Sequence, residues 1–127
     1  MLFRSDTYGH DAGDRVIRAF GNIIRACTRD TDISVRYGGE EFVLALPCND
    51  THEQGGAIVA ERIRAKLADT LIKLPNSKSV HVTTSCGVAY CHANDTLESL
   101  LQRADQHLYT AKHNGKNRVQ VESNEGE

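Results

Sequence analysis

Two glycines followed by two glutamates, Gly38-Gly39-Glu40-Glu41-Phe42, are the residues of this chain best suited to chemistry. Glycines let a ligand backbone or phosphate come close because they carry no side chain. Adjacent carboxylates offer hard oxygens to a divalent cation, which in turn neutralises phosphate oxygens. A glycine turn carrying acids therefore reads as a nucleotide site with a metal. In isolation the same five residues fit an ordinary Gly-Gly hairpin with solvated glutamates about twice as well, because short motifs recur by chance. The rest of the chain has to decide.

The turn sits between two apolar, β-rich runs, Ile33-Ser34-Val35-Arg36-Tyr37 and Phe42-Val43-Leu44-Ala45-Leu46, as a hairpin with positive φ at its tip requires. Ahead of it, Val16, Ile17, Phe20, Ile23, Ile24 and Cys27 recur at helical spacing and predict a helix over about Gly13 to Cys27. Pro47-Cys48-Asn49-Asp50 reads as a loop. Val59, Ile63 and Leu67 predict a second helix from about Glu53 to Ala68. Leu74-Pro75-Asn76-Ser77 is a turn, and Val80 to Tyr90 reads as one strand. Asp95, with Glu98 following, is the expected cap of a last helix that points Leu97, Leu100, Leu101, Ala104, Leu108 and Ala111 inward. Gly115 ends it, and Arg118 to Val121 is a closing strand. The pattern predicts an α+β fold, helices packed on a mainly antiparallel sheet.

A chain of 127 residues suffices for one domain with a real core. The domain is read as residues 1–121, followed by an acidic tail, 122–127. A net charge of −2 gives no bulk electrostatic case for DNA, though a small anionic ligand needs only local positive charge. The four cysteines, Cys27, Cys48, Cys86 and Cys91, show no zinc spacing, and Cys27 and Cys86 lie in apolar patterns as buried thiols. A reducing, cytoplasmic setting without disulfides is the expectation. No signal peptide and no apolar run of membrane-spanning length is visible, so no direct membrane contact is expected. His10, His52, His81, His92, His107 and His113 show no metal spacing. Phe3, Phe20 and Phe42 read as packing residues, and His107 and Tyr109 as packing around the last helix.

Arg36-Tyr37-Gly38-Gly39-Glu40-Glu41-Phe42 resembles the signature of the diguanylate cyclases, the GGDEF family. Further resemblances follow in order: Asp6-Thr7-Tyr8-Gly9-His10 with Gly13-Asp14, then Val82 to Val88, then Arg103-Ala104-Asp105 through Leu108-Tyr109, Ala111-Lys112 and Gly115-Lys116-Asn117-Arg118. The resemblance covers residues 3–121. It implies a ferredoxin-like, nucleotidyl-cyclase-type sheet flanked by helices. It also implies condensation of two GTP to cyclic di-GMP plus pyrophosphate by a homodimer, with Mg2+ or Mn2+. By this resemblance Glu40 and Glu41 are catalytic and Glu40 is the metal ligand. Gly38 and Gly39 admit the GTP, Asp14 reads the guanine edge, and Lys112 and Lys116 touch the terminal phosphates. Lys116 stands where Arg is usual and lacks its bidentate grip. Arg29-Asp30-Thr31-Asp32, with Arg62, resembles the family's inhibitory cyclic di-GMP site. A sensory or receiver domain in a longer parent is implied as well.

The opening departs from the family pattern, which begins with a strand carrying Asp-x-Asp-x-Phe-Lys-x-x-Asn-Asp. This chain starts Met1-Leu2-Phe3-Arg4-Ser5-Asp6. The expectation is a domain lacking that central strand and its metal-binding aspartate, with Ser5 in place of the guanine-binding Asn. Such a gap leaves open core, which a partner chain can fill by strand exchange. Three functions compete: a diguanylate cyclase; a catalytically impaired module that senses cyclic di-GMP or GTP; and a structural dimerisation domain.

Overall fold

The computed structural model describes residues 1–5, 13–37, 41–47, 55–74 and 77–122. Helix α1 (Gly13–Cys27) forms where the sequence predicts it, with Val16, Phe20, Ile23 and Ile24 buried along one stripe. Helix α2 (Gly55–Asp69) buries Gly56, Ala60, Ile63 and Leu67; residues 53 and 54, where it was expected to begin, lie outside the described residues. Strands β2 (Ile33–Arg36) and β3 (Glu41–Ala45) make the expected hairpin arms, paired antiparallel from Ile33–Ala45 to Arg36–Phe42.

The first correction concerns the start of the chain. Leu2–Ser5 is a strand, β1, pairing antiparallel with β3 on one side and with β6 (Thr84–Val88) on the other. The five-stranded sheet runs β2-β3-β1-β6-β7, with β7 (Val119–Val121) parallel to β6. The central position expected to be vacant is filled by this chain's own residues, so strand exchange is not needed to close the sheet. The cause is alternation. Phe3, fully buried, enters the cluster of Phe20, Phe42 and Leu44 on the α1/α2 face, while Leu2 packs with Ala104 and Leu108 on the other. The terminal ammonium donates to Leu44 O at 2.8 Å and Leu44 N–H donates back to Met1 O at 2.9 Å. As expected, Phe3, Phe20 and Phe42 are core residues, their rings 5.9 and 5.0 Å apart.

The run Val80 to Tyr90 is not one strand. Ser79–Val80 (β5) pairs with Ile72–Lys73 (β4) in a separate two-stranded sheet, and the central strand begins only at Thr84. Between them Val82 drops into the core. Helix α3 (Leu97–His113) is capped by Thr96 with Ser99 in a reciprocal capping box, rather than by Asp95 with Glu98. Asp95 is drawn away because it faces Arg103 (2.7 Å), Ser99 (2.7 Å) and the His92 N–H (2.8 Å). Leu97, expected inside, is 73% exposed and lines an open cavity beside Glu41, and Leu100 and Leu101 are only half-buried; Ala104, Leu108 and Ala111 are buried as expected. Cys86 is buried and Cys27 only half-buried. His107 is half-buried, whereas Tyr109 is exposed and stacks on His113 at 4.0 Å.

Two features lock α3 to the sheet. Gly87 permits the closest approach: a Cβ there would lie 2.0 Å from Ala104 O and 2.4 Å from Leu108 N. Beyond it, Arg103 joins three segments, donating to Asp95, to Glu122 Oε1 (3.0 Å) and to Tyr90 O (2.6 Å). The Arg103 hydrogen bonds hold the Asp95 carboxyl far below its ordinary range, helped by Ser99 and the His92 N–H. Burial pushes Glu122 up, but the Tyr90 N–H, His92 and Arg103 together outweigh it and lower its pKa.

Gly87→Ala is expected to cost about 3 kcal/mol or more in urea unfolding, as backbone overpacking does. By contrast Gly21→Ala, whose Cβ meets nothing within 4 Å inside α1, is expected to stabilise by about 0.5–1 kcal/mol. Because Asp95 and Glu122 are depressed, their contribution is complete above the ordinary carboxylate pKa of about 4 and is lost as pH falls through the lowered values. Thermal melts from pH 7 to pH 2 are expected to show a steeper acid decline for the native chain than for Arg103→Gln, which starts lower at pH 7.

Candidate functional site

The turn after α1 builds the first cavity. Thr28 Oγ1 donates to Ile24 O (2.9 Å) at the helix end, Asp32 N–H donates to Arg29 O (2.9 Å), and Arg29 N–H donates to Asp32 Oδ2 (2.8 Å). That reciprocal pair fixes the Asp32 carboxylate from its own backbone neighbourhood. Its other oxygen, Oδ1, is buried and has no hydrogen-bond partner among the described residues, an acceptor that native proteins rarely leave unmatched. Arg62 projects from α2 across the same space. Arg29, Asp32 and Arg62 line one cavity of about 420 Å³, floored by Cys27, Leu46 and Val59. Two guanidinium groups and one underused carboxylate in a half-apolar cleft suit a flat, anionic ligand with hydrogen-bond donors on its edge.

The second region surrounds Glu41. Phe42 and Leu44 point into the α1/α2 core, so alternation turns Glu41 and Val43 to the α3 face. There Glu41 stands directly across the ladder from Arg4, and the Arg4 guanidinium donates to its carboxylate. Both side chains are partly exposed, 38% for Arg4 and 23% for Glu41. The Tyr37 N–H donates to Glu41 O at 2.8 Å, narrowing the hairpin towards its tip. A cavity of about 710 Å³ adjoins the pair, lined by Leu2, Tyr37, Glu41, Leu97, Glu98 and Asp105 among others.

Other sequence-derived site residues are more scattered. Gly38, Gly39 and Glu40 lie outside the described residues. Asp14 is exposed in the first turn of α1. Ser5 ends β1 opposite Thr84, and its side chain lies outside the described residues. Lys112 is half-buried in the last turn of α3; Lys116 is exposed with φ +63° in the loop before β7. Neither lysine lines either cavity. Arg4 is the residue that the sequence did not single out. Its signal was the short apolar run Met1-Leu2-Phe3, which suits a strand covered on both faces and has meaning only once β1 is known to pair with β3.

Residues 4–118 match the family model described as diguanylate cyclase, GGDEF domain. The chain belongs to the GGDEF family. This GGDEF domain is 43% identical over 121 residues to diguanylate cyclase A of Treponema denticola, covering 94% of this chain and 32% of that protein. The chain thus spans about a third of the length of that curated relative. Among solved structures it resembles the GGDEF domain of DgcB from Caulobacter crescentus in complex with c-di-GMP, with TM-score 0.85 and 29% identity over 94% of this chain and 74% of that one. It also resembles the active GGEEF domain of a diguanylate cyclase from Vibrio cholerae, with TM-score 0.79 and 29% identity over 94% of this chain and 79% of that one. The α+β sheet flanked by helices is the fold these domains share.

Diguanylate cyclases of this family are nucleotidyl cyclases that need a divalent metal. The described residues of this GGDEF domain do not by themselves make such a site, and Glu40 lies outside them. Leu2-Phe3-Arg4-Ser5 brings no carboxylate to the centre of the sheet, Glu41 is engaged by a guanidinium, and no cluster of three or more His, Cys, Asp or Glu occurs among the described residues. No helix among them is long and apolar enough to cross a membrane.

Asp32→Ala is expected to cost about 1 kcal/mol in urea unfolding, since the Arg29 N–H loses its acceptor. Arg62→Ala, which breaks no described hydrogen bond, is expected to stay within about 0.5 kcal/mol. Equal losses in both would mean that Arg62 is structural rather than held out for a ligand.

Proposed function

We infer that this GGDEF domain is a diguanylate cyclase domain whose product returns to the cavity of Arg29, Asp32 and Arg62. The observation that carries this is the convergence of those three residues, two of them from the turn after α1 and one from α2, around the buried Asp32 Oδ1, which has no partner among the described residues. Cyclic di-GMP supplies what that cavity lacks. Its phosphates suit the guanidinium forks, and a guanine edge offers N–H donors to Asp32. A GGDEF relative of the same fold is known in complex with c-di-GMP.

In the reaction, the 3′-hydroxyl of each of two GTP attacks the α-phosphate of the other. Two phosphodiester bonds form, two α–β phosphoanhydride bonds break, and two pyrophosphates leave with the hydroxyl protons passed to base or solvent. Two such domains, each holding one GTP, make a homodimer the working unit. Gly38 and Gly39 let the triphosphate approach, and Glu40 and Glu41 bring negative charge to the attacking hydroxyl. Asp14 accepts from the guanine edge, Ser5 offers one hydrogen bond, and Lys112 and Lys116 reach for the terminal phosphates. Glu40 would hold the divalent ion, Mg2+ or Mn2+, which would neutralise phosphate charge there. A sensory or receiver domain in a longer parent would set the dimer's state.

The Arg4–Glu41 pair favours a second reading, in which the domain binds cyclic di-GMP or GTP with little turnover. One experiment separates the two. GTP is supplied to concentrated protein with Mg2+ or Mn2+ and product is followed by chromatography, while cyclic di-GMP binding is measured by calorimetry. Product formation that disappears in Glu40→Ala supports the cyclase. Binding without product supports the sensing module. In either case Arg29→Ala and Arg62→Ala are expected to weaken cyclic di-GMP binding at least tenfold; unchanged binding in both would remove the cavity from the account.

A further inference from the structure

We propose that Arg64 and Asn117 are positioning residues for the triphosphate: Arg64, from α2, clamps the Asn117 side chain and so fixes the backbone from which Lys116 meets the terminal phosphates of GTP. This rests on the cyclase reading, and the test separates a failure of the clamp from a failure of that reading.

The loop between α3 and β7 is held in an uncommon geometry by bonds from three elements. Gly115, Lys116 and Asn117 have φ of +117°, +63° and +49°, a region that side chains rarely adopt. The Lys116 N–H donates to Ala111 O at 3.0 Å, closing the end of α3 around Gly115. The Asn117 N–H donates to the buried Ser85 Oγ of β6 at 3.2 Å. Arg64 Nη1 reaches over from α2 and donates to Asn117 Oδ1 at 2.8 Å. Lys116 itself is exposed. Its long stem is flexible, so its backbone is what the fold can fix.

The same bonds set the loop level with the acidic turn. Arg4 pairs with Glu41 on β3 and with Ser85 on β6, and Ser85 carries Asn117. Glu41, Arg4, Ser85 and the loop form one row across the sheet. With neighbouring strands about 5 Å apart, Glu41 and Ser85 stand about 10 Å from each other, a gap that an extended triphosphate and a lysine side chain bridge together. Arg64 is not left to bind phosphate itself. Its Nε donates to both Glu61 oxygens, at 2.8 and 2.9 Å, its Nη2 donates to Glu61 Oε1, and its Nη1 is on Asn117. Each nitrogen of the guanidinium is engaged, and Glu61 offsets its charge. Arg64 and Asn117 therefore act through Lys116.

The test is calorimetric binding of 3′-deoxy-GTP, which lacks the attacking hydroxyl, and of GMP to the whole chain with Mg2+. Lys116→Ala and Arg64→Gln are each expected to weaken 3′-deoxy-GTP about fivefold, the scale of one charge-assisted contact, and to leave GMP unchanged. Arg64→Gln/Lys116→Ala is expected to bind like Lys116→Ala alone, because the two residues act as one unit. A larger loss in the double variant makes Arg64 a phosphate ligand and overturns the positioning role. An equal loss of GMP in Arg64→Gln makes it general support of the fold and overturns it too. A loss in Lys116→Ala that Arg64→Gln does not share overturns the clamp and leaves the cyclase reading standing. No binding by the native chain, or no loss in Lys116→Ala, overturns the assignment of Lys116 and the clamp with it. Circular dichroism confirms that each variant is folded. Should Arg64→Gln not fold, Asn117→Gly decides: it keeps the left-handed backbone and removes the acceptor, and the same loss confined to 3′-deoxy-GTP is expected, its absence overturning the proposal.

Discussion

The insertion of Leu2–Ser5 between β3 and β6 is the constraint on which the rest of the structure depends. A central strand satisfies backbone groups on both neighbours, and without it two strand edges would face each other across a void. Its side chains do equal work on both faces. Phe3 closes the aromatic cluster with Phe20 and Phe42, and Leu2 anchors the small cluster under α3. The same register that buries Phe3 forces Arg4 to the α3 face opposite Glu41. Core packing and the electrostatics of the acidic turn are thus two consequences of one pairing.

The two candidate regions are assembled by different physics. The cavity of Arg29 and Asp32 is largely local: a helix end, a short turn and a carboxylate bound to a backbone N–H a few residues away. Arg62 and Val59 come from α2, a helix whose apolar face fixes its rotation, and Leu46 from the residue after β3. The region of Glu41 is non-local, joining the first residues of the chain to the hairpin and to the start of α3. Its charge balance depends on which residue the register of β1 places opposite the acid.

On the far side of the sheet, α3 is held by steric and electrostatic means together. Gly87 gives up a side chain so that the helix backbone can lie against β6, and Arg103 ties the helix to the segment before it and to the residue after β7. Thr96 caps the helix so that Asp95 is released for that ion pair. A sequence reading that favours the stronger capping residue misses this division of labour, because the competing partner, Arg103, is two helical turns away.

The sequence alone determined the apolar stripe of α1, the hairpin arms, the core phenylalanines, the family and the residues of the Arg29–Asp32 turn, since each rests on local periodicity or on a contiguous motif. It did not determine that Met1 to Ser5 would enter the sheet, that Val80 and Thr84 belong to different sheets, or that Leu97 would be exposed. A four-residue strand has no periodicity long enough to announce itself, and strand partners are chosen by the space left in the assembled sheet. Tertiary structure therefore decided which charge faces Glu41. A residue's cross-strand neighbour is fixed by register, and register is set only when both faces of the sheet have found their cores.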